Sequence, residues 1–193
     1  MHQMIIDSIR VSLTNYQRVV FLRVKDSTQL LPIWIGPSEA DSIALKLQDV
    51  DVPRPLTHDL LRTVISTLGA TVSRVVVSDL NNDTFYAKIV LQYNGNNMEV
   101  DARPSDAIAL AVRTDAPIFA DDAVVERAAI QIDEETGKPI IPTDEESAGR
   151  AGPMREEELK NLSAYTDFVE TLNLEGLGGE EKLPPESAAP GTS

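Results

Sequence analysis

A helix-opening motif written twice constrains this chain more than any other feature. "GPSEADSIALKL" at Gly36 to Leu47 returns as "RPSDAIALAVR" at Arg103 to Arg113. A displacement of 65 residues superposes Asp41-Ser42-Ile43-Ala44-Leu45 on Asp106-Ala107-Ile108-Ala109-Leu110. The same displacement sets Val20-Phe21-Leu22-Arg23-Val24 against Phe85-Tyr86-Ala87-Lys88-Ile89. Three strand-like runs, "MIIDSIRVSL", "RVVFLRV" and "LLPIWIG", precede the first copy, and "TVSRVVVSDL", "TFYAKIVLQY" and "NMEVDA" precede the second. Between the runs lie "TNYQ", "KDST", "NND" and "NGNN", all rich in turn formers. The pattern predicts an α+β fold: a duplicated β-β-β-α unit forming mixed or antiparallel sheets with packed helices. An extra helix at "THDLLRTVISTLGA" joins the two copies.

Each repeated turn has a local physical reading. Ser38 and Ser105 fall where an N-cap is expected, and an acid follows in the first turn, where unpaired N–H groups and the helix dipole favour negative charge. Pro37 and Pro104 halt the incoming strand. Ile43, Ala44 and Leu47 in one copy, and Ile108, Ala109 and Val112 in the other, recur at helical spacing and are expected to face the sheet. Capping alone accounts for Glu39, Asp41 and Asp106. Thr57 is likewise read as an N-cap, with Asp59 favouring the dipole of the joining helix; that reading does not require Arg54 or His58. Trp34, within "LPIWIG", is expected to be buried in a strand beside the first helix, with the wall of a binding cleft as the rival. Phe85 and Tyr86 read first as alternating inward and outward strand residues, and only second as a stacking platform.

Residues 1–132 form the expected body, with a net charge of −4, whereas residues 133–193 carry −10 of the total of −14. The segment 133–153, with its prolines, glycines and clustered acids, reads as a flexible acidic loop. In 154–177 an apolar stripe of Leu159, Leu162, Val169 and Leu172 predicts a helix that docks on the domain or on a partner subunit. Residues 178–193 have the composition of a disordered tail. The chain has no run of about 18 apolar residues and no signal-like N-terminus, so a cytoplasmic protein without a membrane partner is expected. An acidic balance disfavours nucleic acid as a whole-body partner but leaves room for a local basic groove.

With no cysteine and only His2 and His58, thiol chemistry, Cys-based metal sites and His-rich clusters are excluded. Any metal would be held by carboxylates and would be a hard ion such as Mg²⁺ or Mn²⁺; whether one is used is left open. No P-loop, GxGxxG, GxSxG or HExxH motif occurs. What remains is a polar set. Arg54 and Arg103 can bind phosphate through a planar fork, and His58 can act as acid or base. Glu39, Asp59, Asp101 and Asp106 can serve as hard-metal ligands or as a general base.

At "LLPIWIGPSEADSIAL", "PRPLTHDLL", "NDTFYAKI", "DARPSDAIALAVRTDAPIF" and "FVETLNLEGL" the chain resembles the bifunctional nuclease family, whose members are described as cleaving DNA and RNA. The likeness runs from about Met4 to Leu177 apart from the loop. It implies an α+β domain with a duplicated core, a homo-oligomer and nuclease activity on DNA and RNA. The family pattern covers Trp34, Gly36 and Glu39, then Arg54, Pro55, Thr57, His58 and Asp59, then Arg103, Pro104, Ser105 and Asp106. The resulting expectation is a nuclease with Glu39, His58, Asp59 and Asp106 as catalytic groups. Arg54, Arg103, Trp34 and Ser105 would contact substrate. The alternative is a non-catalytic regulatory module that binds a small anion or a protein partner. The two turns and the "THD" helix start either converge on one cleft or lie at opposite ends of the sheet.

Overall fold

The computed structural model describes residues 1–11, 17–132 and 139–140. The first unit comprises β1 (His2–Val11), β2 (Arg18–Val24), β3 (Gln29–Ile35) and α1 (Pro37–Leu47). The joining helix α2 (Thr57–Thr67) leads to the second: β4 (Thr71–Asn81), β5 (Thr84–Tyr93), β6 (Asn96–Ala102) and α3 (Pro104–Thr114). β7 (Ile118–Ala120), α4 (Asp122–Ala128), β8 (Ile130–Ile132) and β9 (Pro139–Ile140) follow. The expected α+β architecture with a duplicated β-β-β-α unit is therefore present. β9 lies within the stretch read as a loop. The rest of that loop, the helix at 154–177 and the tail at 178–193 lie outside the described residues.

The nine strands among the described residues form one sheet in the order β6-β5-β4-β7-β1-β2-β3-β8-β9. Within each unit neighbouring strands pair antiparallel, as short hairpin connections require. Two of those hairpins close on residue pairs with positive φ, Asn82-Asp83 (46° and 57°) and Asn94-Gly95 (50° and 78°). Such turns match the right-handed twist of the flanking strands. β7 joins the units, antiparallel to β1 and parallel to β4. β1 and β4 therefore run in opposite directions on either side of it. The first strand of each unit lies inside and the third outside, the arrangement produced by a two-fold axis normal to the sheet.

The repeat is not in one register throughout. Strand pairing sets β2 on β5 at a displacement of 69, since the pair Arg18 and Ile35 corresponds to the pair Ala87 and Ala102, while β3 and α1 match β6 and α3 at 67, so that Pro37 corresponds to Pro104. The slip arises because the turn between β2 and β3 spans residues 25–28, including Asp26 with φ 60°, whereas β5 and β6 are joined by Asn94-Gly95 alone. Glu39, rather than Asp41, is consequently the counterpart of Asp106. The caps move with it. Gly36 and Arg103 occupy the N-cap positions with no side-chain capping bond, and Ser38 and Ser105 lie in the first turn. Proline at the first helical position, which sacrifices an N–H that has no partner there, sets these boundaries. Thr57 is corrected likewise: Leu56 is the N-cap of α2, and its N–H donates to Asp59 Oδ2 at 2.9 Å.

One apolar cluster spans both units: Val20, Leu22, Leu31, Ile33 and Ile43 from the first meet Val75, Val77, Ile89, Ile108 and Leu110 from the second. β2 is buried on both faces, as its unbroken apolar run requires, with Val19 and Phe21 packing on Leu30 on the other side. Phe85 packs against the core and Tyr86 is exposed, as alternation predicts. Two expectations fail. Trp34 is 42% exposed, because the tight turn into α1 leaves it at the end of β3, and Leu47, in the last turn of α1, is exposed beyond the sheet.

α3 is sunk between α1, α2, β4 and β5, and its small residues Ala107, Ala109 and Ala111 allow that close approach. Its Arg113 is buried too. Nε of Arg113 donates to Asp59 Oδ1 of α2 at 2.8 Å, Nη1 to Ala109 O at 2.8 Å and Nη2 to Ser42 O of α1 at 3.1 Å. A guanidinium out of water must find acceptors for its donors, and here they come from three helices. Arg113→Ala is expected to lower unfolding free energy in urea by about 3–5 kcal/mol, with Arg113→Lys recovering only part because an ammonium cannot span three acceptors. A loss below about 1 kcal/mol, the range of an exposed pair, would show that the helices do not depend on it.

Candidate functional site

The two repeated turns meet. Arg103, last residue before α3, reaches forward onto its own helix and across to the other. Its Nε donates to Asp106 Oδ2 at 2.7 Å, and Nη2 to Asp106 Oδ1 at 3.2 Å and to Glu39 Oε1 at 2.9 Å. None of these bonds uses Nη1, and the Arg103 side chain is 67% exposed. At the equivalent position of the first unit stands Gly36, where a Cβ would collide with Glu39 Oε2. Glycine there lets the Glu39 carboxylate fold back beside the turn, within reach of Arg103. One guanidinium therefore holds the third helical residue of both α1 and α3.

His58, at the second position of α2, lies behind this pair and is 8% exposed. Its Nε2 is 3.1 Å from Asp106 Oδ1 and its Nδ1 3.1 Å from Ser42 Oγ. Both ring nitrogens are thus engaged within the protein. Partial burial pushes the Asp106 carboxyl up, but hydrogen bonds from Arg103 and His58 and the Arg103 charge outweigh this and hold it below the ordinary aspartate range. Asp59 is also held low: burial opposes ionisation, yet the Leu56 N–H, Arg113 and Arg62 together prevail. The Arg103 guanidinium is held even more firmly protonated, through its bonds to Asp106 and Glu39.

Of the residues singled out in the sequence, Glu39, His58, Arg103 and Asp106 form one cluster. Asp59 is next to His58 in the chain, but its two oxygens serve Leu56 and Arg113. Arg54 is exposed in the loop before α2 and makes no ion pair among the described residues. Trp34 presents an exposed indole at the end of β3, whereas Ser105 is buried and contributes no side-chain hydrogen bond to the cluster. Asp101 lies on the exposed outer strand β6. Sequence reasoning missed Ser42 and Arg113. A polar Ser42 directly before the buried Ile43, and a cation at the end of the apolar run "AIALAV", were the available signals.

Glu39 and Asp106 carry the hard oxygen donors that Mg²⁺ or Mn²⁺ requires. In this arrangement, however, the Arg103 guanidinium lies between them, and among the described residues no group of three or more His, Asp or Glu side chains is disposed to hold a metal. The present donor set therefore does not fit a bound ion.

Fold and site together define an α+β domain of duplicated origin with an arginine-bridged carboxylate pair where its two halves meet. The sequence profile of the bifunctional nuclease domain matches residues 20–133, and the chain belongs to that family. It is 40% identical over 161 residues to an uncharacterized protein of Mycobacterium tuberculosis, covering 83% of this chain and 90% of that one. It is 30% identical over 103 residues to Bifunctional nuclease 1 of Arabidopsis thaliana and 28% identical over 103 residues to Bifunctional nuclease 1 of Oryza sativa subsp. japonica. Each match covers 51% of this chain, but 32% of the Arabidopsis protein and 31% of the rice protein. Among the described residues no helix is long and apolar enough to cross a membrane.

The lowered carboxyls tie stability to pH. A group whose pKa is depressed on folding adds stability that is complete above its unfolded value, near 4, and disappears as pH falls through the lower folded value. Stability is therefore expected to drop between about pH 5 and pH 2, and by less in Asp59→Asn and Asp106→Asn than in the wild type. Urea unfolding across that range checks it, and parallel curves for all three proteins would remove these two groups from the acid response.

Proposed function

We propose that this chain is a nuclease that hydrolyses phosphodiester bonds of DNA and RNA at the Arg103 cluster. One observation carries the reading: in a member of the bifunctional nuclease domain family, an exposed guanidinium sits between two partly buried carboxylates where both halves meet. Nη1 of Arg103 offers its N–H donors to a phosphate oxygen without breaking the bonds to Glu39 and Asp106. Phosphate charge builds up as a nucleophile attacks, so a fixed cation stabilises the transition state more than the ground state. Asp106 or Glu39 then takes the proton of the attacking water, and solvent water protonates the leaving oxygen. His58, reaching the solvent side through Asp106, orients that carboxylate and completes the catalytic set; Asp59 supports it by fixing the start of α2 and Arg113.

Arg54 supplies a second phosphate contact in this reading and Trp34 a stacking surface for a base. Ser105 belongs to the supporting turn. Mg²⁺ or Mn²⁺ enters only if Arg103 moves off the carboxylates. A cytoplasmic setting and self-association remain part of the proposal; α2 and its C-cap expose Leu60, Val64 and Leu68, apolar area that assembly would remove from water. The pairing of both Glu39 and Asp106 with Arg103 favours a second reading, a module that binds an anion without turnover.

Labelled single-stranded DNA and RNA, incubated with purified protein with and without Mg²⁺ or Mn²⁺, decide between them. Cleavage by the wild type that falls about 10²–10³-fold in folded Arg103→Ala and Asp106→Asn supports the nuclease. Equal cleavage by variants and wild type would assign the activity to a contaminant. Thermal stabilisation by oligonucleotide without product, lost in Arg103→Ala, would favour the binding module.

A further inference from the structure

Ser42 has a hydroxyl that no sequence motif explains. It lies in the interior of α1, 7% exposed, and among the described residues its one hydrogen-bond partner is His58 Nδ1 at 3.1 Å. Its backbone carbonyl is held separately by Arg113 Nη2 at 3.1 Å. The ring of His58 therefore sits between a hydroxyl on α1 and a carboxylate on α3.

Counting donors and acceptors decides who gives and who receives. Asp106, held below the ordinary aspartate range by its neighbours, is ionised at neutral pH and can only accept. Nε2 of His58 must then carry the hydrogen that points at Asp106 Oδ1, 3.1 Å away. If Nδ1 carried a hydrogen as well, the buried hydroxyl of Ser42 would have to accept and would be left with its own O–H unmatched, an arrangement folded proteins rarely tolerate. With Nδ1 unprotonated, every group in the chain Ser42–His58–Asp106 is satisfied.

We propose that Ser42 is a positioning residue whose O–H fixes His58 in the Nε2–H tautomer and so aims that ring, as donor, at Asp106. Arg113 in turn fixes the backbone of Ser42, so the buried tie between helices and the exposed cluster share one residue. Removing the hydroxyl leaves Nδ1 without its donor and the ring tethered only through Nε2–H to Asp106, free to swing about that single bond. The effect on Asp106 orientation rests on the nuclease reading above; the tautomer itself does not.

The test is a long-range ¹H–¹⁵N correlation spectrum of the uniformly labelled full chain at neutral pH. The chain has two histidines, so His2→Gln assigns the signals. The expected spectrum shows a protonated Nε2 and an unprotonated Nδ1 for His58. In Ser42→Ala with an intact amide spectrum the Nδ1 signal should move downfield, as an unprotonated ring nitrogen does on losing its hydrogen-bond donor, and Ser42→Thr, which keeps the hydroxyl, should restore it. A protonated Nδ1 in the wild type, whether in the other tautomer or in the imidazolium, would overturn the proposal. So would an unchanged ring in folded Ser42→Ala. If the alanine variant does not fold, the wild-type spectrum alone decides. Under the nuclease reading kcat should fall about tenfold in Ser42→Ala with KM unchanged, the scale of losing a group that orients another. Absence of wild-type cleavage would sink that reading while leaving the tautomer result standing.

Discussion

The buried guanidinium of Arg113 is the interaction on which the rest depends. Removing that charge from water carries a desolvation cost of several kcal/mol that only well-placed acceptors offset. The acceptors come from α1 and α2 as well as from α3 itself. No one of the three helices can shift alone without leaving a buried donor or acceptor unmatched. Helices on the face of a sheet otherwise slide at modest cost, since apolar contacts among Ile43, Ile108 and Leu110 have little direction. The polar tie supplies the direction and fixes Ser42, Asp59 and hence His58 in place.

Duplication explains why charges collect on the solvent side of that tie. Two equivalent helices, each opened by a proline turn and each with an acid at its third position, meet where their first turns face each other. Two carboxylates brought together would repel. Arg103 resolves this by standing between Glu39 and Asp106, and it can do so because its counterpart in the first unit is Gly36 rather than a second long side chain. The asymmetry between the copies, small in sequence, makes one shared site instead of two separate caps.

Much of the fold was legible because its signals are local. Turn residues such as Asn94-Gly95 and the apolar run of β2 each report on a few neighbouring positions, and strands and helices followed from them. The repeated turn was legible as a motif but not in its register: shared Ile-Ala-Leu residues favoured a displacement of 65, while the two-residue slip between hairpins depends on where β2 and β5 end. Ser38, Ser105 and Thr57 have the chemistry of caps, but proline sets the boundaries of α1 and α3 two positions earlier, and α2 is capped one position earlier at Leu56, whose N–H is held by Asp59. Trp34 looked like core because its neighbours are apolar. Its exposure depends on a turn that no periodicity encodes. Glu39, His58, Arg103 and Asp106 stood out as polar residues beyond the apolar pattern, whereas Ser42 and Arg113 were hidden inside it. Their partners lie 16 and 54 residues away, a separation only the folded chain closes.

Under the proposed function Arg103 is the group that receives phosphate, and its Nε–H signal reports on this directly. A nuclease-resistant phosphorothioate dinucleotide, titrated into ¹⁵N-labelled protein, should shift the Arg103 Nε–H resonance together with the Asp106 amide, saturably and with a dependence on salt. If the Arg103 signal stays in place while resonances elsewhere move, or if none move at concentrations that support cleavage, the arginine is a brace between two helices and the phosphate chemistry lies elsewhere.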